Sequence, residues 1–114
     1  MQLHLKKSGK FLVMILSGSI RAEDNAAFEE ALKDYRLREA PGVLLDISKL
    51  EYLNSRAIGG IMSLWKELSG LGRDFAIIRP APLVERLLES VGMLSFVQVF
   101  DSLTDGIKAM SKAP

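Results

Sequence analysis

Val43-Leu44-Leu45-Asp46-Ile47 and, a few residues on, Tyr52-Leu53-Asn54-Ser55-Arg56-Ala57-Ile58-Gly59-Gly60 form the stretch on which the fold turns. The first run is short, apolar and mostly branched, which predicts a strand covered on both faces, with Asp46 near its carboxyl end. Beyond it, Ile58, Ile61, Met62, Trp65 and Leu68 recur at helical spacing. Ser55 stands at the expected N-cap of that helix, and Gly70 or Gly72 can end it. A buried strand feeding a helix calls for a right-handed crossover and a parallel neighbour.

Working outward, Leu3 and Leu5 alternate with Gln2, His4 and Lys6, and Ser8-Gly9-Lys10 supplies turn chemistry before the continuous apolar run Phe11 to Leu16. This reads as an opening antiparallel hairpin. Phe28, Ala31, Leu32 and Tyr35 then mark an amphipathic helix, with Asp24 or Asn25 as its cap and Pro41-Gly42 closing the segment. Phe75 to Ile78 predicts another strand, and Val84, Leu87, Leu88 and Val91 a helix that Gly92 ends. Phe96 to Phe100 predicts a last strand, after which Ser102 and Asp105 approximate a capping box for a helix bearing Leu103, Ile107 and Met110. The order β-β-α-β-α-β-α-β-α predicts an α/β fold with a mixed sheet of about five strands and four helices. Functional residues are expected where strands end and helices begin.

Composition narrows the function. At 114 residues, 48% hydrophobic and 25% charged, the sequence fits one domain over residues 1–114. With no cysteine there is no disulfide, thiolate catalysis or Cys-ligated metal, and a cytoplasmic setting is the easier expectation. Lys6, Lys7 and Lys10 ahead of Phe11 to Leu16 superficially resemble a secretory signal, but that apolar run is shorter than the roughly 7–15 residues a signal core needs. No membrane insertion is expected. A net charge of +1 with no basic patch argues against nucleic acid.

Catalysis has little to work with. His4 is the single histidine and falls on the polar side of a strand, and no metalloprotease, nucleophile-elbow or paired-carboxylate motif is present. Gly9-Lys10 fails as a phosphate loop because Phe11 stands where Ser or Thr is required. Met62 and Trp65 read as core, and Lys33, Arg36 and Arg38 as cations facing the end of the first helix. No catalytic residue, metal or cofactor is therefore expected. Gly59 and Gly60 each cost a helix about 1 kcal/mol relative to alanine. Close approach of the helix to the sheet, or of a partner to the helix, would offset that.

The segments Gly18-Ser19-Ile20-Arg21, Leu45-Asp46-Ile47-Ser48, Asn54-Ser55-Arg56-Ala57-Ile58-Gly59 and Pro82-Leu83-Val84-Glu85-Arg86-Leu87-Leu88 with Gly92-Met93 resemble, in order and spacing, the motifs of the STAS family, which includes bacterial anti-sigma-factor antagonists. The resemblance implies the STAS (SpoIIAA-like) fold and a non-enzymatic protein-binding regulator. It implies docking on an anti-sigma factor that is also a serine kinase, through Arg21, Asn54, Ser55, Arg56, Ala57, Ile58 and Gly59. Ser55 matches the serine phosphorylated in that family, and self-association into a homodimer is left open. An alternative implied reading is the STAS subunit of a lipid-asymmetry type ABC transport assembly, acting without phosphorylation. The sequence departs from the family pattern at the site, with Asn54 for aspartate, Arg56 for a small residue, Ala57 for glycine and Arg21 for aspartate. Two added guanidinium groups predict a more positive docking surface that favours an acidic partner.

Overall fold

Gln2–Ser8 (β1) and Phe11–Ile20 (β2) pair antiparallel, and the chain turns between them at Gly9, whose φ of +61° a side chain would disfavour. The remaining strands are Gly42–Leu53 (β3), Asp74–Ile78 (β4) and Gln98–Phe100 (β5). In this computed structural model, which describes residues 1–112, they form one sheet in the order β1-β2-β3-β4-β5. β3 pairs parallel with both β2 and β4, and β4 with β5, so the sheet is mixed, as the connections require.

The helices are Asn25–Ala31 (α1), Arg36–Glu39 (α2), Ser55–Gly70 (α3), Pro82–Ser90 (α4) and Leu103–Ser111 (α5). Four are the expected ones, and α2 is a single extra turn. One sheet face carries the larger core, in which Leu12, Met14, Leu16, Val43, Leu45 and Ile47 meet Phe28, Leu37, Leu64, Leu68, Val84 and Leu88. On the other face Phe11, Val13, Leu44, Ala76 and Ile78 are covered by α5 through Met110. The continuous apolar runs of β2 and β3 thus have a layer on each side. α5 can sit this low because Gly106 lacks a side chain; a Cβ there would lie 2.7 Å from Leu44, 3.1 Å from Ile78 and 3.3 Å from Phe100.

Several expectations are corrected. β3 runs six residues past Ile47, so Asp46 lies mid-strand, where its carboxylate accepts from the Ser48 backbone N–H and hydroxyl. The register against β2 slips between Ile15 and Ser17 and again between Gly18 and Ser19, which breaks the alternation a strand is recognised by. β5 begins only at Gln98, and Val91 is exposed because α4 stops at Ser90 and Gly92 turns the chain at φ +76°.

The first helix is the largest departure. α1 stops at Ala31, and Leu37 rather than Tyr35 enters the core. The Arg38 guanidinium donates to the carbonyls of Leu32 and Asp34, which occupies the helix end and fixes the turn that follows. The expectation of cations at this helix end is met by Arg38. Arg36 instead binds the Asp34 carboxylate at 3.1 and 2.7 Å and also donates to it from its backbone N–H. The side-chain bond to Arg36, and then the backbone one, hold the Asp34 carboxyl at about 2 against an ordinary 3.8. A carboxyl lowered on folding adds stability above its unfolded value and loses it as pH falls toward the folded one. We expect proton titration by NMR to place Asp34 near pH 2, and Asp34→Asn to flatten the stability curve between about pH 4 and 2.

Candidate functional site

The mouth of α3 is built where β3 leaves the sheet. The Asn54 backbone N–H donates to Ile20 O at 3.1 Å, closing β3 against the end of β2. Asn54 is extended (φ −83°, ψ 170°), and its side-chain oxygen accepts from the Ala57 N–H at 2.8 Å. Asn54, not Ser55, is therefore the N-cap of α3. Its amide NH₂ also donates to the Asn25 side chain at 2.9 Å, so one carboxamide caps α3 and ties it to the start of α1. A carboxylate in the ordinary pattern offers no such donor. We expect Asn54→Ala to cost about 2 kcal/mol by chemical denaturation, the sum of a lost cap and an unpaired Asn25. A double-mutant cycle with Asn25→Ala should show the two residues to be coupled.

Relieved of capping, Ser55 is the first residue of α3 and is exposed, and its hydroxyl has no hydrogen-bond partner among the described residues. Arg56 reaches back to α1, where Nε and Nη2 bind the two Glu29 oxygens at 2.5 and 3.1 Å. Hydrogen bonding to Glu29, more than the charge attraction, raises the Arg56 pKa. Arg21, just past β2, lies with its guanidinium carbon 5.1 Å from the centre of the Tyr52 ring. Each arginine is thus held by its own neighbour. The expected field of two free guanidinium groups is corrected, because Glu29 neutralises Arg56.

Two further residues of the expected docking set also change role. Ala57 and Ile58 are only 2% and 5% exposed and belong to the core beneath the helix mouth. The accessible set is Arg21, Ser55, Arg56 and Gly59, with Asn54 half-buried between the two helices. The two glycines part company. A Cβ on Gly60 would meet Leu32 at 2.9 Å and Phe28 at 3.8 Å, so close packing of α1, not of the sheet, accounts for it. Gly59 faces open space, with nothing within 4 Å of such a Cβ. Gly59→Ala is accordingly expected to raise stability by about 1 kcal/mol, read as a higher midpoint in thermal unfolding.

Sequence reasoning did not connect Asn25, read only as a candidate cap of the first helix, or Glu29 with the site that these two α1 residues buttress. Their spacing of four places them on one helix face, which is a usable signal. The pairing with residues 27 and 29 positions away has no local signature. Of the other motif residues, His4 is exposed on β1, as expected, and Trp65 is half-buried with its ring centre 4.7 Å from that of Phe96. Among the described residues no group of three or more His, Cys, Asp or Glu could hold a metal, and no helix is long and apolar enough to cross a membrane.

A mixed five-stranded sheet, a helix layer on one face, a lone helix on the other and a bare serine at the mouth of the central helix define a small α/β domain. The chain belongs to the STAS domain family, whose model matches residues 2–106. A candidate anti-sigma factor antagonist of Thermotoga neapolitana is 29% identical over 66 residues, which spans 58% of this chain and 58% of that one. The crystal structure of a candidate anti-sigma factor antagonist from Thermotoga maritima superposes with a TM-score of 0.88 at 21% identity, covering 96% of this chain and 95% of that one. The anti-sigma factor antagonist SpoIIAA in its unphosphorylated form gives a TM-score of 0.82 at 12% identity, with 99% of both chains covered. The fold also matches part of the mouse Slc26a9 anion transporter, at a TM-score of 0.77 and 12% identity, with 95% of this chain but 19% of the transporter covered. At such identities the structures establish the fold, and function must be argued from the site.

Proposed function

We propose that residues 1–114 act as a single non-enzymatic regulatory domain that docks on a partner protein through the mouth of α3. The partner is an anti-sigma factor with serine kinase activity, and phosphorylation of Ser55 ends the complex. The observation that carries this reading is the idle hydroxyl of Ser55. It is exposed on the first residue of a 16-residue helix and has no hydrogen-bond partner among the described residues, because Asn54 does the capping. A serine free of structural work can be modified without unfolding the helix, and the helix N-terminus favours the phosphate that results. In an interface the same phosphate, carrying about −1.5 to −2 charges, must be desolvated or left unpaired.

The Arg56–Glu29 pair gives the surface a different character from the one the sequence suggests. With Arg56 neutralised, Arg21, set over the Tyr52 ring, is the cation of the docking set without a carboxylate partner among the described residues, so recognition rests on shape around Ser55 and Gly59 more than on a strong positive field. The pair itself is about half exposed and contributes little stability.

The test is affinity capture from the cytoplasm of the native host with the wild-type chain and Ser55→Asp in parallel, joined to mass spectrometry of the endogenous chain. An anti-sigma kinase retained by wild type and lost with Ser55→Asp supports the reading. A Ser55 that is never phosphorylated, with equal capture by both chains, removes the switch. Capture of transporter subunits by both chains alike would favour the transport-assembly role that the fold also serves.

A further inference from the structure

The amino ends of β2, β3 and β4 lie at one end of the molecule, opposite the mouth of α3, and segments far apart in the sequence bring cations to it. Lys6 and Lys7 stand near the end of β1, in register with Val13 and Leu12, and Lys10 follows in the turn. Arg73 leads into β4, whose first residue, Asp74, pairs with Gly42. Lys112 caps the end of α5, two residues after Met110, which packs with Phe11 beside Gly42. None of these five cations has a carboxylate within ion-pair distance among the described residues. Arg36 and Arg38, on the connection that leads into β3, are already matched by Asp34 and Glu67. The unpaired carboxylates on the same connections are Glu39 and Asp74, which leaves five cations against two, a formal +3 on a chain whose whole net charge is +1. The molecule is thus polarised along its strands.

Lysines on an edge strand discourage pairing with another chain, and that accounts for Lys6 and Lys7. It does not account for Lys10, Arg73 and Lys112, nor for the apolar side chains set among them. Tyr35 and Leu71 are 67% and 52% exposed, the two highest values of any large hydrophobic side chain among the described residues. Tyr35 borders the same groove as Lys7 and Lys10, and Leu71 belongs to the connection that carries Arg73. Both are held in the open by their own turns. Asp34 and Arg36 bind each other across Tyr35 at 3.1 and 2.7 Å. After Leu71 the chain turns at Gly72, φ +72°, where the N–H groups of Gly72 and Arg73 donate to Ser69 O at 3.0 Å and Leu68 O at 2.8 Å.

Two apolar tips on separate connections, among four lysines and a half-buried arginine, suit a fluid anionic surface. A protein partner is met by a contiguous apolar centre inside a polar rim, and nucleic-acid phosphates by arginine forks. A bilayer takes each tip singly into its headgroup layer, while lysines act as point charges in its surface field. We infer that this end of the molecule docks reversibly on an anionic bilayer. Lys6, Lys7, Lys10 and Lys112 lie over the headgroups, and Tyr35 and Leu71 enter the interface. The contact is adsorption, in which no helix spans the membrane. Ser55 follows the far end of the 12-residue strand β3, so the mouth of α3 stays clear of the lipid. The inference does not rest on the role of Ser55.

The experiment is co-sedimentation of the whole chain with phosphatidylcholine vesicles containing about one-third phosphatidylglycerol, against vesicles of phosphatidylcholine alone. The expected result is binding to the anionic vesicles at low salt, at least about tenfold stronger than to the neutral ones and abolished near about 1 M salt. Lys6→Gln, Lys7→Gln and Lys10→Gln combined should weaken it at least about thirtyfold. Tyr35→Ser and Leu71→Ser should each weaken it about threefold and leave its salt dependence unchanged. These positions are exposed, so the variants should fold, and their unfolding midpoints verify it. On the vesicle, spin-labelled lipid should broaden the NMR signals of residues 6–10, 35 and 71–73 and spare residues 54–60. No binding to anionic vesicles at low salt, equal binding to neutral ones, or an affinity indifferent to the lysine variant overturns the inference. So does broadening centred on the mouth of α3. Tighter binding of polyglutamate or of a DNA duplex than of the vesicles would assign this end to a different polyanion and overturn it as well.

Discussion

Ser55→Asp is expected to weaken the complex with the proposed anti-sigma partner by about tenfold to a hundredfold while leaving the domain slightly more stable than wild type. The two effects arise from the same carboxylate in two environments. In the free domain it sits on the first turn of α3, where open backbone N–H groups and the helix dipole stabilise a negative charge by about 0.3–1 kcal/mol. In the complex it must lose water and face groups that accepted a neutral hydroxyl, and each 1.4 kcal/mol of mismatch is about tenfold in Kd. A full phosphate carries roughly twice the charge of aspartate and should weaken binding by about a thousandfold, near 4 kcal/mol. Calorimetric titration gives the affinity and thermal unfolding the stability. Opposite signs in the two measurements separate a docking role from a folding defect. An affinity equal to wild type would contradict the proposal.

Gly106→Val should have the largest effect on the fold, a loss of about 3 kcal/mol and a fall in Tm of roughly 10–15 °C. A Cβ at this position already meets Leu44, Ile78 and Phe100 at 2.7–3.3 Å, and valine adds two methyl groups beyond it. Those neighbours are themselves packed in the smaller core, so the strain cannot be relieved by one rotamer change. α5 must lift, uncovering Val13, Leu44 and Ala76 on that face of the sheet. Urea denaturation would report the loss. A midpoint equal to wild type would mean that α5 is held elsewhere. Because the mouth of α3 belongs to the opposite helix layer, the variant that remains folded should still bind the partner.

Gly59→Ala offers a sharper contrast. The geometry allows the extra methyl, so the helix gains stability, yet the methyl projects from the surface that the partner is proposed to cover. Stability and affinity should again move apart.

How far the sequence carries depends on the range of the forces involved. The two central strands are legible because burial on both faces leaves them continuously apolar, and the helices α3, α4 and α5 because burial of one face imposes a period on their own residues. The mixed topology follows from connection lengths, since Ser8-Gly9-Lys10 permits a hairpin and the helical crossovers do not. The end of β3 was hidden because the bulged pairing with β2 disrupts the alternation around Ser48 and Lys49. The first helix misled for a related reason. Phe28, Ala31, Leu32 and Tyr35 keep helical spacing, but Arg38 captures the carbonyls at the helix end and places Leu37 in the core instead.

At the site, Ser55 was legible as a residue at a helix mouth, whereas its freedom was not. That freedom depends on Asn54 taking the cap, and Asn54 depends on Asn25, a contact between segments distant in sequence. Arg56 shows the same limit, because its formal charge can be counted from the sequence and its neutralisation by Glu29 cannot. Charge counting therefore overstated the positive field, and two of the departures from the family motif, Asn54 and Arg56, are matched by residues of α1.

The most direct measurement of the central claim is a hydrogen–deuterium exchange footprint of the chain with and without the captured partner. The account predicts slowed exchange over residues 54–60 and the start of α1, lost when Ser55 is phosphorylated. Protection confined to α5 or the free edge of β1, with the mouth of α3 exchanging as in the free chain, would contradict it.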